Sequence, residues 1–242
     1  MNHPTPEIQN VPLSDSVMMD LARLKMFAER LRVESVGDPK WVESKGVFEY
    51  PNQTVEVAVV LKIIRAAQGI HALDLLCRAG LFVDMGAIYR CVGDCSAEVY
   101  FLLEDYPRQS SNVTKFLREF FSKTIDGHLT SDEEPVRTKK IHNAMVRSLT
   151  GNEQDERIKR SLNNVYKTFS GYTHAGYSHI MQMYGGSGNL RSFNIDGIPS
   201  RAQRDLYMEL IQKAHQSLLY EMSYVAKTFG LHDLLREILQ CC

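Results

Sequence analysis

Between Tyr207 and Phe229, the apolar residues Tyr207, Ile211, Ala214, Leu218, Met222, Val225 and Phe229 recur in steps of four and three. An α-helix places such positions on one face, and an apolar stripe of that length needs a second surface to cover it. The pattern predicts a helix of about thirty residues from Pro199–Ser200 to Gly230, its narrow seam turned toward a bundle. Other segments follow suit. Leu21, Leu24, Phe27 and Leu31 recur at helical spacing behind the capping run Ser14–Asp15–Ser16 and stop before Gly37–Asp38–Pro39. From Asn52 or Thr54 to Gly80 the chain is apolar on nearly every face between Val57 and Ile64, the mark of a central, buried helix.

A third helix runs from just after Gly80 to Tyr106, before Pro107. Its Gly86, Gly93 and Ala97 fall on roughly one face, where another backbone can come close; each internal Gly costs about 0.8–1 kcal/mol against Ala, so packing has to offset it. A fourth spans Ser110 or Ser111 to near Gly127, and a fifth Pro135 to about Leu149, before Gly151. A sixth starts at Asn152, where Glu153, Asp155 and Glu156 complement the helix dipole, and ends at Ser170–Gly171. Trp41–Pro51 reads as a linker with Val47–Tyr50 extended, Thr173–Tyr184 as a short helix, Gly185–Gly188 as a loop and Leu231–Leu239 as a short terminal helix. The fold class is all-α: a bundle of about seven helices, one domain over residues 14–242 behind a flexible polar tail, 1–13.

Composition narrows the function classes. A net charge of −1 is unlike a dedicated duplex-DNA binder, although a local basic patch, Arg137–Thr–Lys–Lys–Ile–His142, stands out. No apolar run is long enough for a transmembrane helix, so no membrane partner is expected. The polar start lacks a secretory pattern, and the 5 cysteines lack a disulfide-scaffold spacing, so the expectation is a cytoplasmic protein with reduced thiols. Cys241–Cys242 has no basic run before it, which argues against a lipid anchor, and Cys91 and Cys95 read as core thiols.

Chemistry concentrates in two places. Ser170–Gly–Tyr–Thr–His–Ala–Gly–Tyr–Ser–His179 gathers imidazoles, phenols and hydroxyls between long helical patterns. On the third helix Arg90, Asp94 and Glu98 follow one another at four-residue steps and share a face amid apolar neighbours, as an anion-binding Arg oriented by Asp94 or as an internal ion pair. One expectation is that His174 faces Arg90 across a cleft, with Ser170 and Tyr172 as donors; another is that His174 packs under Tyr172 or Tyr177. His71 and Asp74 sit one turn apart, but no Glu-x-x-His occurs, and no metal or other cofactor is expected. Gly185–Asn189 lacks the form of a phosphate loop.

At Ala87–Ile–Tyr–Arg90–Cys–Val–Gly–Asp94 and Tyr166–Lys–Thr–Phe–Ser170–Gly–Tyr172–Thr–His174 the chain resembles a group of bacterial helical-bundle proteins related to HEPN-type domains and to abortive-infection proteins. Active HEPN ribonucleases use an Arg and a His four to six residues apart at a dimer interface. Two such spacings occur here, Arg65 to His71 and Arg137 to His142, both outside the two motif segments. The resemblance implies a helical bundle, a homodimer and a role in defence or stress. Any enzyme activity would be metal-independent RNA cleavage, with His174 or His142 as base or donor and Arg90 or Arg137 stabilising phosphate charge. The expected partner is RNA, a nucleotide or another anionic ligand. The competing expectation is a non-catalytic interaction module whose C-terminal seam pairs with itself or a partner and whose polar network only fixes helix register.

Overall fold

A computed structural model of the chain describes residues 15–122, 135–151, 155–186 and 191–241, with side chains from Met19 onward. Helix α1 (Asp15–Ser35) leads into an antiparallel hairpin, β1 (Lys40–Val42) with β2 (Val47–Glu49), in which Trp41 lies opposite Phe48. Then come α2 (Val55–Ala79), α3 (Phe82–Leu103), α4 (Ser111–Ser122), α5 (Thr138–Thr150) and α6 (Glu156–Thr173). A joint made of α7 (Tyr177–Ile180) and a 3-10 turn (Met181–Met183) precedes the small pairing of β3 (Tyr184–Gly185) with β4 (Ser192–Phe193). The chain closes with α8 (Arg201–Thr228) and α9 (His232–Leu239).

The all-α class holds, but the described residues form nine α-helices where about seven were expected. The surplus is α7, of 4 residues, and α9, of 8, which fall where short helices were read at Thr173–Tyr184 and Leu231–Leu239 outside the count of seven. Segments this short carry too little periodicity to be counted with the long helices. Several ends also move. Helix α3 stops at Leu103, α5 begins at Thr138 with Arg137 rather than Pro135 at its edge, and α6 passes through Gly171 to Thr173. The expected α4 end near Gly127, the α6 start at Asn152 and most of the Gly185–Asn189 loop fall outside the described residues.

Helix α2 forms the centre. Ala58, Val59, Ile63, Ala66, Ile70, Leu73 and Cys77 are all fully buried, and the helix touches α1, α3, α4 and α8. The Thr54 hydroxyl accepts from Val57 N at its start. At its end Gly80 adopts φ 73°, a left-handed conformation that closes the helix with bonds back to Cys77 and Leu76. Gly80 O also accepts from Ile198 N at 2.9 Å, and a Cβ on Gly80 would lie 2.7 Å from Ile198 O, so only glycine fits. That contact seats the strap that enters α8.

Ser200 caps α8, its hydroxyl accepting from Gln203 N at 3.3 Å. The seam lies inside the chain's own core: Ile211, Ala214, Leu218, Met222 and Val225 are buried, and α8 packs on α1, α2, α3 and α9. A seam free to pair with another copy is therefore corrected; this chain covers it itself. Three polar side chains are buried with it. His215 Nε2 lies 2.9 Å from Asp20 O, and Asp74 accepts from Arg78 Nη2 at 2.6 Å. Glu221, 1% exposed, has no hydrogen-bond partner of normal geometry on either carboxylate oxygen.

Candidate anion-binding cleft

None of the described side chains of α6 is fully buried, yet the helix is firmly placed against α3. Three aromatics at three-residue intervals do this. Tyr172 drops its ring into the notch at Gly86, where a Cβ would lie 2.2 Å from the ring. Phe169 packs on Tyr89 with centroids 4.5 Å apart. Tyr166 stacks under Arg90, whose guanidinium carbon sits 3.4 Å from the ring centroid. The close approach expected on the small-residue face is thus made at Gly86 by a ring, not a backbone.

Arg90 is held through its Nε and Nη1. Its Nε donates to both oxygens of Asp94 at 2.9 Å, and its Nη1 donates to Tyr166 O at 3.4 Å. Burial works against the charged guanidinium, but these bonds outweigh it and leave the pKa raised. The Nη2 side has no acceptor among the described residues, which leaves donors for a ligand.

His142, on α5, completes the cluster with its ring edge-on to Tyr166 at 5.2 Å. Burial pushes its pKa below the ordinary 6.5; Asp94 pulls it up and Arg90 pushes it down. The net shift favours the neutral imidazole.

Two adjoining clefts open on this cluster, sharing His142, Leu162 and Tyr166. The outer one, about 610 Å³, runs between α5 and α6. Among the described residues Lys139, Lys159, Arg160 and Lys167 line it against a single carboxylate, Glu156, which is paired with Lys159 at 3.2 Å. Among these described lining residues positive charge exceeds negative by three. The inner cleft, about 350 Å³, is more apolar; Val92, Ala97, Met145, Phe169 and Leu218 line it, with Arg90, Asp94 and His142 beside them. Among the described residues no three His, Cys, Asp or Glu side chains come together as a metal site.

The remaining expected site residues go elsewhere. Glu98 pairs with Lys62, whose ammonium lies 4.8 Å from the Phe120 ring centre, so it faces α2 and α4 rather than Arg90. Each four-residue step turns about 40° around a helix, and two steps carry Glu98 out of Arg90's face. His174 is exposed at the C-cap of α6 and lines neither cleft. Eight residues beyond Tyr166 is about 12 Å of helical rise, which takes it past the cluster. The imidazole that packs under Tyr172 is instead His179, 4.2 Å from its ring and seated over Gly171. Ser170 uses its carbonyl to cap His174 N, and the Tyr172 hydroxyl donates to Gln182 at 3.2 Å. Arg137 is exposed at the α5 N-cap. His71 is exposed while Asp74 is buried against Arg78, so that pair does not meet.

Sequence reasoning brought Arg90, Asp94 and His142 forward but missed Tyr166, Lys159, Arg160 and Lys167. The Tyr166–Phe169–Tyr172 spacing was the available signal. Comparison with protein-family models, with curated proteins and with solved structures finds no match to this chain. What the fold and site define is a helical bundle with a basic, aromatic-floored cleft.

Proposed function

We propose that the α5–α6 cleft binds the phosphates of RNA or of a free nucleotide, in the manner expected of a HEPN-like, cytoplasmic and dimeric defence or stress protein. One observation carries the reading: four basic side chains line a cleft that reaches His142 and adjoins Arg90, stacked on Tyr166 with unclaimed donors. Guanidinium N–H groups match phosphate oxygens, and lysines add sequence-independent attraction. In RNA cleavage, His142 takes the proton of the ribose 2′-hydroxyl as its oxygen bonds to phosphorus, Arg90 steadies the charge gathering on phosphate, and the P–O5′ bond breaks as water protonates the departing 5′-oxygen. His174 and Arg137 have no part in this version.

A second reading has an observation of its own. Arg90 and Tyr166 also fasten α6, a helix without a fully buried side chain, so their stacking serves packing whether or not a ligand binds. The two readings part on RNA. Fluorescence anisotropy with a short single-stranded RNA should show affinity falling with salt, with a log–log slope of up to about −3 for four phosphate contacts. Lys159→Glu combined with Lys167→Glu should abolish binding while the melting temperature stays near wild type. Unchanged RNA affinity in that variant, or none in wild type, contradicts the proposal. RNA degradation that survives His142→Ala removes His142 as the base.

A further inference from the structure

The inner cleft holds a feature that packing does not explain. Gly93 lies in the middle of α3, where glycine is the poorest residue short of proline. Gly86, on the same helix, is required because the Tyr172 ring fills its notch. At Gly93 a Cβ would meet nothing within 4 Å. The space above it is the inner cleft, about 350 Å³, at the lower end of the range for small-molecule sites. A helical glycine that faces a cleft lets a ligand approach the backbone closely.

The lining says what kind of ligand. Phe169 and Val92 offer apolar walls, and Tyr166 joins them at the boundary with the outer cleft. Asp94 is 40% exposed, and its bonds to Arg90 leave carboxylate lone pairs that can accept from an amino group. Ser217 adds a hydroxyl. A flat ring with a polar edge suits these walls, whereas a phosphate or a sugar alone does not. The basic outer cleft next door supplies the place for the attached phosphate.

We infer that the inner cleft is a nucleobase pocket, entered over Gly93, so that the ligand is a free nucleotide or an unpaired RNA nucleotide rather than duplex. This deepens the phosphate-binding proposal and rests on it. A base must leave its stack to reach such a pocket, which excludes paired RNA. Phosphate contacts along α5 and α6 supply affinity, and the pocket supplies the preference for a ring.

Isothermal titration with AMP and with ribose 5-phosphate tests it on the full chain. Wild type should bind AMP about tenfold or more tightly than ribose 5-phosphate, as base–aromatic contacts require. Gly93→Leu, which projects into the pocket, should bring AMP down to the level of ribose 5-phosphate and leave the latter unchanged. Gly93→Ala, with room for its methyl group, should keep the preference and guards against a folding artefact. A short oligoadenylate separates the two sources: binding as tight as AMP per nucleotide marks RNA, and failure where AMP succeeds marks a free nucleotide. Equal binding of AMP and ribose 5-phosphate overturns the pocket while phosphate binding stands. So does a Gly93→Leu protein of wild-type melting temperature that still prefers AMP. No binding of either compound while the single-stranded RNA still binds overturns the pocket alone; no binding of either compound or of the RNA overturns both proposals.

Discussion

Replacing Glu221 by Gln is expected to stabilise the protein, and to do so increasingly as pH rises. The carboxyl lies on α8 inside the core, 1% exposed, with no hydrogen-bond partner of normal geometry. Burial pushes its pKa from 4.5 up to about 7, and the Ser96 hydroxyl offsets only part of that. The folded chain therefore holds a proton that the unfolded chain releases between those values. Over that window the native state binds more protons, so stability falls as pH rises and the loss is complete above about pH 7. The displacement corresponds to about 3 kcal/mol at its limit, most of it lost between pH 5 and pH 8. Gln cannot ionise, so Glu221→Gln removes that slope and keeps the shape of the protonated acid. Urea unfolding at both pH values, with wild type and variant side by side, reads the difference free of all other titrating groups. Parallel pH profiles for the two proteins would refute the reasoning and mean that Glu221 is ionised and solvated in the folded state.

Other expectations are open to direct measurement. Alanine at Gly86 and at Gly93 should act in opposite directions: Gly86→Ala collides with the Tyr172 ring and should cost up to about 2 kcal/mol net, whereas Gly93→Ala meets nothing and should gain about 1 kcal/mol in urea unfolding. Hydrogen exchange in Gly86→Ala should quicken first in α6, which depends on that ring. The His142 ring should titrate below its ordinary value by NMR, and Asp94→Asn should lower it further, because the Asp94 charge pulls it up. Ala175 holds φ 49°, so Ala175→Gly should stabilise the turn after α6 by about 1 kcal/mol in the same unfolding assay.

Much of the scaffold was legible because burial follows helical period. The Ile211–Val225 seam, the apolar stretch of α2 and the Gly80 stop all depend on local spacing, and each is found where the spacing put it. Arg90 and Asp94 were readable as a pair because four residues is one turn. Glu98 was misread because the same rule was extended over two turns without the drift. His174 drew notice for its polar company, but a capping position points outward. The partnership of Arg90 with Tyr166 and His142 joins three helices, and no local pattern announces it. Tyr166 sits in an ordinary aromatic spacing, of the kind that usually marks packing. Of the four basic lining residues only Lys139 was visible in the Arg137–His142 patch; Lys159, Arg160 and Lys167 come from α6, which only folding brings alongside.

A phosphate held in the basic outer cleft would lie beside His142, where that cleft meets the inner one at Tyr166 and Arg90. The His142 ring resonances followed by NMR through a pH titration, with and without saturating AMP, test it most directly. A phosphate bound there should raise the His142 pKa and shift its ring signals, because a negative charge nearby favours the imidazolium. AMP that binds while His142 titrates as before would put the ligand elsewhere and contradict the claim.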